Sequence, residues 1–523
     1  MFPNGLEITP RAIRPSESSP GEKEYEVSLA DAFRVALKHW EQHNPAQAGK
    51  ICRKILKSQP NHARALHLLG LVIYKDGQNE EAAELIERAI KLRPDLKEFY
   101  NSLGMVQMVL GRYEEALGHY RKVLDMVDPE DTNDRPKLLS NIANALQLLG
   151  QYDEAITWHD KALELRPDDV VATWNRSHIF LIKGDLLAGW DGYERRFELK
   201  KAREKFYPHE FDVPKWDGSS FKGKRLFIHD EQGIGDIIQF ARYMPLVKEK
   251  GGQVILEVRG VLFDLFKSLK GVDHLVERIP NTRTPLCFDL YSPIMSLQAV
   301  LKTTLETIPN EVPYLSAPQD KIDQWKDRFE GDGLKVGLVW AGNLNNIPLR
   351  HRASKLAFME PLLHIPGISF FGLQKGEETA VEVDELPKGL RFPSYGEEFQ
   401  DFADTAGALS HLDLVITVDT SVAHLAGAMG IPTWIMLAYP ADWRWLLDRS
   451  DNPWYPTARL FRMPEPGDWV SVVAEIETAL REKVGAKKKA RKKSSKAAPK
   501  KASPKEKQAR KTIPGSKAGS TVG

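Results

Sequence analysis

At 523 residues, with 42% hydrophobic and 28% charged side chains, the chain has room for about three domains and apolar material for several packed cores. Its two cysteines, Cys52 and Cys287, exclude a disulfide framework and a cysteine zinc site, which favours a reducing, cytoplasmic setting. The net charge of +1 hides an asymmetry: residues 487–517 hold fourteen Lys or Arg and one Glu, a surplus of 13 that leaves the rest of the chain at −12.

Residues 1–28 open without an apolar core segment, so no secretory signal is expected and the segment reads as disordered. No run of about 18 apolar residues occurs anywhere, so no membrane-spanning helix is expected. From residue 29 the pattern repeats. Gly70 and Gly104 are 34 residues apart, as are Ala82 and Ala116. Leu66, Leu69, Ile73, Ile86, Ala89 and Pro94 surround the first glycine, and Tyr100, Leu103, Tyr120 and Val123 the second. A further unit, after an insertion near DPEDTNDRPK, offers Leu139, Ile142, Ala143, Leu146, Ala155, Ala162 and Pro167; an earlier one has Ala48, Ile55 and Pro60. Small residues let paired antiparallel helices approach closely, proline ends the second, and each open apolar face requires a stacked neighbour. The spacing resembles the tetratricopeptide repeat (TPR), and it predicts an all-α array over 29–203 of about four repeats plus a partial fifth. Such an array implies a groove for a protein or peptide segment, or else a rigid spacer or a dimerisation surface.

Beyond residue 215 the period changes. Arg225–His229 reads as a buried strand, IIQFARYMPLVKEK as a helix and VILEV as the next strand, which makes a βαβ unit and requires a parallel sheet. The theme restarts near residue 334 with KVGLVWAG, ISFFGLQKG, LDLVITVD, a short helix Ser421–Met429 and TWIMLA. Two α/β lobes are therefore expected, at 216–330 and 331–482, with a ligand between them near the carboxyl ends of the strands.

Three motifs carry candidate chemistry. In Gln232-Gly233-Ile234-Gly235-Asp236, the glycines Gly233 and Gly235 permit a tight turn and a close ligand approach, and Asp236 starts a helix. Asp236 either projects into the cleft or caps the helix. Asp419-Thr420-Ser421-Val422-Ala423-His424 lies between a strand and a helix, where backbone amides and hydroxyls form an anion site or serve only as a cap, with His424 packed on the helix. Arg350, Arg352, Lys355 and Lys375 are surface cations or the counter-charge of a diphosphate. Neither lobe has an Asp-x-Asp pair, so a metal-held diphosphate is not suggested; no metal site and no cofactor are expected.

GIGDIIQFARYMP and VDTSVAHLAGAMGIP together resemble family 9 glycosyltransferases, the heptosyltransferase-like group, in the form that joins TPRs to such a domain. WDGSSFKGKRL, GWDGYERRFE and DWRWLLDRSDNPWYPTARLFRMPEPGDW extend the likeness, which covers residues 29–482. The resemblance implies a GT-B fold of two Rossmann-like lobes, acceptor side first and nucleotide-sugar side second, and a metal-independent, inverting transfer. It implies Asp236 as catalytic base, and Asp419, Thr420 and Ser421 as the turn holding donor phosphates and sugar. Ser421 stands where glycine is common, and His424 matches a recurring histidine. Lys355 and Lys375 are the candidates for a phosphate-binding lysine, with Arg350 and Arg352 beside them. The rival reading is a TPR adaptor with degenerate lobes. The Lys-rich segment 483–523 is too poor in apolar residues to fold, and reads as a disordered tail that either contacts a polyanion or only solubilises.

Overall fold

The computed structural model describes residues 28–199, 211–279, 286–342, 352–376, 379 and 381–497, with side chains described to residue 487. The expected disordered stretches 1–27 and 498–523 lie outside them. The chain divides at residue 203 into two compact units.

The first unit is five helical hairpins: α1 Leu29–Glu41 with α2 Pro45–Ser58, α3 Ala63–Lys75 with α4 Asn79–Leu92, α5 Lys97–Val109 with α6 Tyr113–Met126, α7 Arg135–Leu148 with α8 Tyr152–Leu165, and α9 Val170–Lys183 with α10 Leu186–Glu194. The small residues do what the spacing demands. A β-carbon on Gly70 would lie 2.7 Å from Ile86, and one on Gly104 the same distance from the Tyr120 ring, so only glycine lets these helices touch. The fifth hairpin corrects the expected partial repeat. Gly189 packs on Leu181 and Gly192 on Ser177, which closes α10 fully onto α9.

The second unit holds two parallel sheets. In the first, β1 Arg225–His229, β2 Gln253–Val258, β3 His274–Glu277 and β4 Leu290–Pro293 lie in the order β3-β2-β1-β4. Phe227 is in register with Ile255 on one side and Tyr291 on the other. The helix expected after β1 is split. α11 Ile234–Phe240 passes through a 3-10 turn at Ala241–Tyr243 and restarts as α12 Met244–Glu249, with Pro245 in its first turn, where its missing N–H costs nothing. α13 Gly260–Phe266 follows β2.

The second sheet runs β6 Ile368–Gly372, β5 Leu334–Val339, β7 Leu414–Val418, β8 Thr433–Leu437, β9 Ala458–Arg462, all parallel. α14 Gln319–Trp325, α15 Phe402–Leu409 and α16 Ser421–Ala428 accompany it. The strand order reverses between β5 and β7, which opens a crevice at their carboxyl ends.

α17 spans Trp469–Ala497 and crosses the expected lobe boundary at 482. Residues 483–497, expected to be disordered, are helical. Ile476, Leu480 and Val484 keep one apolar face buried at four-residue spacing, and the Lys487 ammonium donates to Asp413 Oδ2 at 2.9 Å and to the Gly333 carbonyl at 3.1 Å. No helix of the described residues is long and apolar enough to cross a membrane.

Candidate active site

A cleft of about 690 Å³ opens at the β5–β7 reversal. Ala341 and Gly342 after β5, Lys375 after β6, and Thr420, Ser421 and Val422 at the start of α16 line it, and Val261 of α13 closes it from the first lobe. The electropositive end of α16 thus meets the cavity. Gln374, buried and not singled out by sequence, shapes the floor: its Oε1 accepts the Trp340 and Ala341 amides at 3.1 and 2.9 Å. Thr420 Oγ1 sits 3.1 Å from Thr417 Oγ1 and makes no side-chain bond back to the helix it precedes. The Lys375 ammonium donates to the Phe399 carbonyl, which holds it on the cleft wall.

The other expected donor ligands stand elsewhere. The Asp419 side chain, 7% exposed, lies outside the cleft lining, with Oδ2 2.7 Å from Arg352. The other arm of Arg352 reaches Asp442 Oδ2 at 2.9 Å. Its charge is therefore spent on two carboxylates, which corrects its expected place at a diphosphate. Burial raises the Asp419 carboxyl above its ordinary range despite Arg352. Burial also works to raise Asp442, but Arg444 and Arg352 outweigh it and hold that carboxyl well below the ordinary range. Lys355 is exposed and borders a separate cleft with Glu360, Glu382 and Glu385. Arg350 lies outside the described residues.

In the first lobe Asp236 serves both as cap and as cross-lobe contact. Its Oδ2 accepts the Gly233 amide at 2.7 Å, and its Oδ1 meets Arg444 of the second lobe. It does not line the cleft, and its side chain is 18% exposed. The tight turn falls on Gln232, at φ 61°, rather than on either glycine. Gly235 approaches a protein group instead of a ligand: a β-carbon there would lie 2.6 Å from the His424 ring. That contact seats α11 against α16.

His424 is buried, with Nδ1 2.9 Å from the Tyr455 hydroxyl and its ring stacked on Trp445. Burial, with Arg444 assisting, pushes it down to about 3, and the neutral ring packs outside the cleft lining rather than at the expected donor site. A histidine with a folded pKa below its unfolded value of about 6.5 leaves the unfolded chain binding more protons, so its stabilisation is complete above that pH and is lost as pH falls. Between pH 7 and 5 the parent is expected to lose about 2 kcal/mol more than a His424→Asn variant. Urea midpoints at the two pH values read this; parallel losses in the two proteins would contradict it.

Asp236, Arg444, Asp442, Arg352 and Asp419 thus form one continuous ladder of alternating charge from the first lobe to the donor-side turn. Arg242 adds a second tie, donating from α11's continuation to the Trp454 carbonyl and, at 3.0 Å, to the Tyr314 hydroxyl.

The helical unit is a tetratricopeptide-repeat array. Residues 98–168 match the family model described as tetratricopeptide repeat, and residues 41–123 that described as anaphase-promoting complex, cyclosome, subunit 3. Among characterised proteins the chain is similar to Protein FlbA of Caulobacter vibrioides, 28% identical over 478 residues, 86% of this chain and 77% of that protein. It is also 29% identical over 150 residues to human Protein O-mannosyl-transferase TMTC1, a match in the repeats that takes in 28% of this chain and 16% of that one. The solved MamA fragment from Desulfovibrio magneticus RS-1 is 18% identical, with 34% of this chain and 99% of that chain covered and a TM-score of 0.30.

Proposed function

We propose that the chain is a glycosyltransferase, moving a sugar from a nucleoside-diphosphate donor to a hydroxyl acceptor. In this reading the two lobes form a GT-B unit of the family 9, heptosyltransferase-like type, working in the cytoplasm. The TPR array recruits the acceptor or a partner protein, and the Lys-rich tail is an accessory polyanion contact outside the chemistry. One observation supports it above the others: the cleft at the amino end of α16 is tied by the charge ladder to a carboxylate of the opposite lobe.

The donor diphosphate rests on Thr420, Ser421 and the first amides of α16, with Lys375 as its cation. The acceptor oxygen attacks the anomeric carbon opposite the diphosphate. As the new C–O bond forms and the bond to phosphate breaks, the acceptor proton passes to Asp236, and the nucleoside diphosphate leaves with both electrons of the broken bond. Displacement from the far side inverts the anomeric centre. The expected result is binding of at least one nucleoside diphosphate in calorimetry, and release of that nucleotide from its sugar conjugate. No binding across uridine, guanosine, adenosine, cytidine and thymidine diphosphates would favour the adaptor.

A further inference from the structure

We propose that Arg444 is the positioning residue of this site: it fixes the Asp236 carboxylate across the lobe seam and ties it, through Asp442 and Arg352, to the Asp419 turn. The role rests on the transferase reading. Arg444 sits in a short 3-10 turn, Trp443–Trp445, of the second lobe, yet two of its partners belong to α11 of the first. Each nitrogen of its fork has a distinct partner. Nε donates to Gln239 Oε1 at 2.9 Å, one terminal nitrogen meets Asp442 Oδ1 at 2.8 Å, and the other meets Asp236 Oδ1.

The turn itself is held. Asp442 Oδ1 accepts the Arg444 amide, Asn452 donates to the Arg444 carbonyl at 3.1 Å, and the guanidinium lies 4.3 Å from the Trp443 ring centre. The Arg444 side chain is 9% exposed, so little water competes for the carboxylates. The fork's planar geometry therefore dictates where Asp236 Oδ1 stands, which an ammonium, a point charge, would do less well. The ladder counts three carboxylates against two guanidiniums, so Asp236 shares its cation with Asp442. Sharing still orients the carboxylate, because each acid takes a different nitrogen of the fork. Without Arg444, its remaining partner among the described residues would be the Gly233 amide.

The test uses the full chain and whichever of the five nucleotide-sugar classes the parent turns over, with water or alcohol as acceptor. Arg444→Gln is expected to lower kcat about 100-fold, the cost of a misplaced reacting group, with KM for the donor held within about twofold. Arg444→Lys should recover part of that loss, and Arg444→Gln placed on Asp236→Asn should add little to it. A raised KM with unchanged kcat, or losses that multiply in the double variant, would overturn the role. If the parent releases no nucleotide from any donor, the transferase reading has failed, and the pairing is judged by thermal unfolding of the parent, Arg444→Gln, Asp236→Asn and their double variant. Melting-point losses smaller together than their sum support the Arg444–Asp236 tie, and additive losses refute it.

Discussion

Asp236→Asn is expected to cut nucleotide-sugar turnover at least ~100-fold while leaving nucleoside-diphosphate affinity within about twofold of the parent. Asparagine keeps the size of the side chain and one carbonyl oxygen for the Gly233 amide, so the cap survives. It cannot take a proton at neutral pH, and positioned proton removal contributes about 10²–10⁴-fold. Affinity is spared because Asp236 lies outside the cleft lining, and Arg444 keeps Asp442 as a partner. Steady-state kinetics on the donor that calorimetry identifies, with calorimetry repeated on the variant, separates the two quantities. Equal turnover in variant and parent would remove Asp236 from the chemistry; lost affinity would make it a donor ligand.

How far this site could be read from sequence depended on the range of the interaction. Gly70 and Gly104 declared the repeats because each contacts a residue 16 positions away, within one recurring unit. RLFIH, QGIGD and VILEV declared a βαβ unit because strand, turn and helix preferences are local. The ladder is another matter. Arg352 and Asp419 are 67 positions apart, Arg352 and Asp442 90, and Arg444 and Asp236 208. Three cations within six residues resembled a phosphate cradle because spacing records charge density and says nothing of distant carboxylates. His424 and Gly235 misled for the same reason: the imidazole fills the space that the missing side chain of Gly235 leaves on the facing helix, although both sit in ligand-like motifs. Arg444 carries a sign in the sequence, an arginine between two tryptophans, but that sign names no distant carboxylate. Val484 carries another. It continues the spacing of Ile476 and Leu480, but the lysines around it hide that periodicity in the composition.

The ladder's central arginine bears the second large expectation. Arg352→Met should destabilise the α/β unit by roughly 3 kcal/mol at pH 7, the lower end of what breaking a buried ion pair costs, since Arg352 keeps 23% of its side-chain surface in water. Methionine fills much of the volume but leaves Asp419 without the Arg352 cation and close to Asp442, whose remaining cation among the described residues is Arg444. Burial already raises the Asp419 carboxyl, and loss of the guanidinium raises it further. An acid whose folded pKa lies above its unfolded value binds a proton more readily when folded, so the variant should recover part of the deficit as pH falls from 7 towards 5. Asp419→Asn on the Arg352→Met background should recover a similar part at pH 7, because it removes the same buried charge. Guanidinium unfolding followed by tryptophan fluorescence measures all three. Trp340, Trp445 and Trp454 are fully buried in this unit and report on it directly. A loss below about 1 kcal/mol would be the signature of an exposed pair. A larger loss that neither acid nor the second substitution relieves would mean that Arg352 stabilises by packing alone, and the chain of charge from Asp236 to the donor-side turn would be broken at its middle.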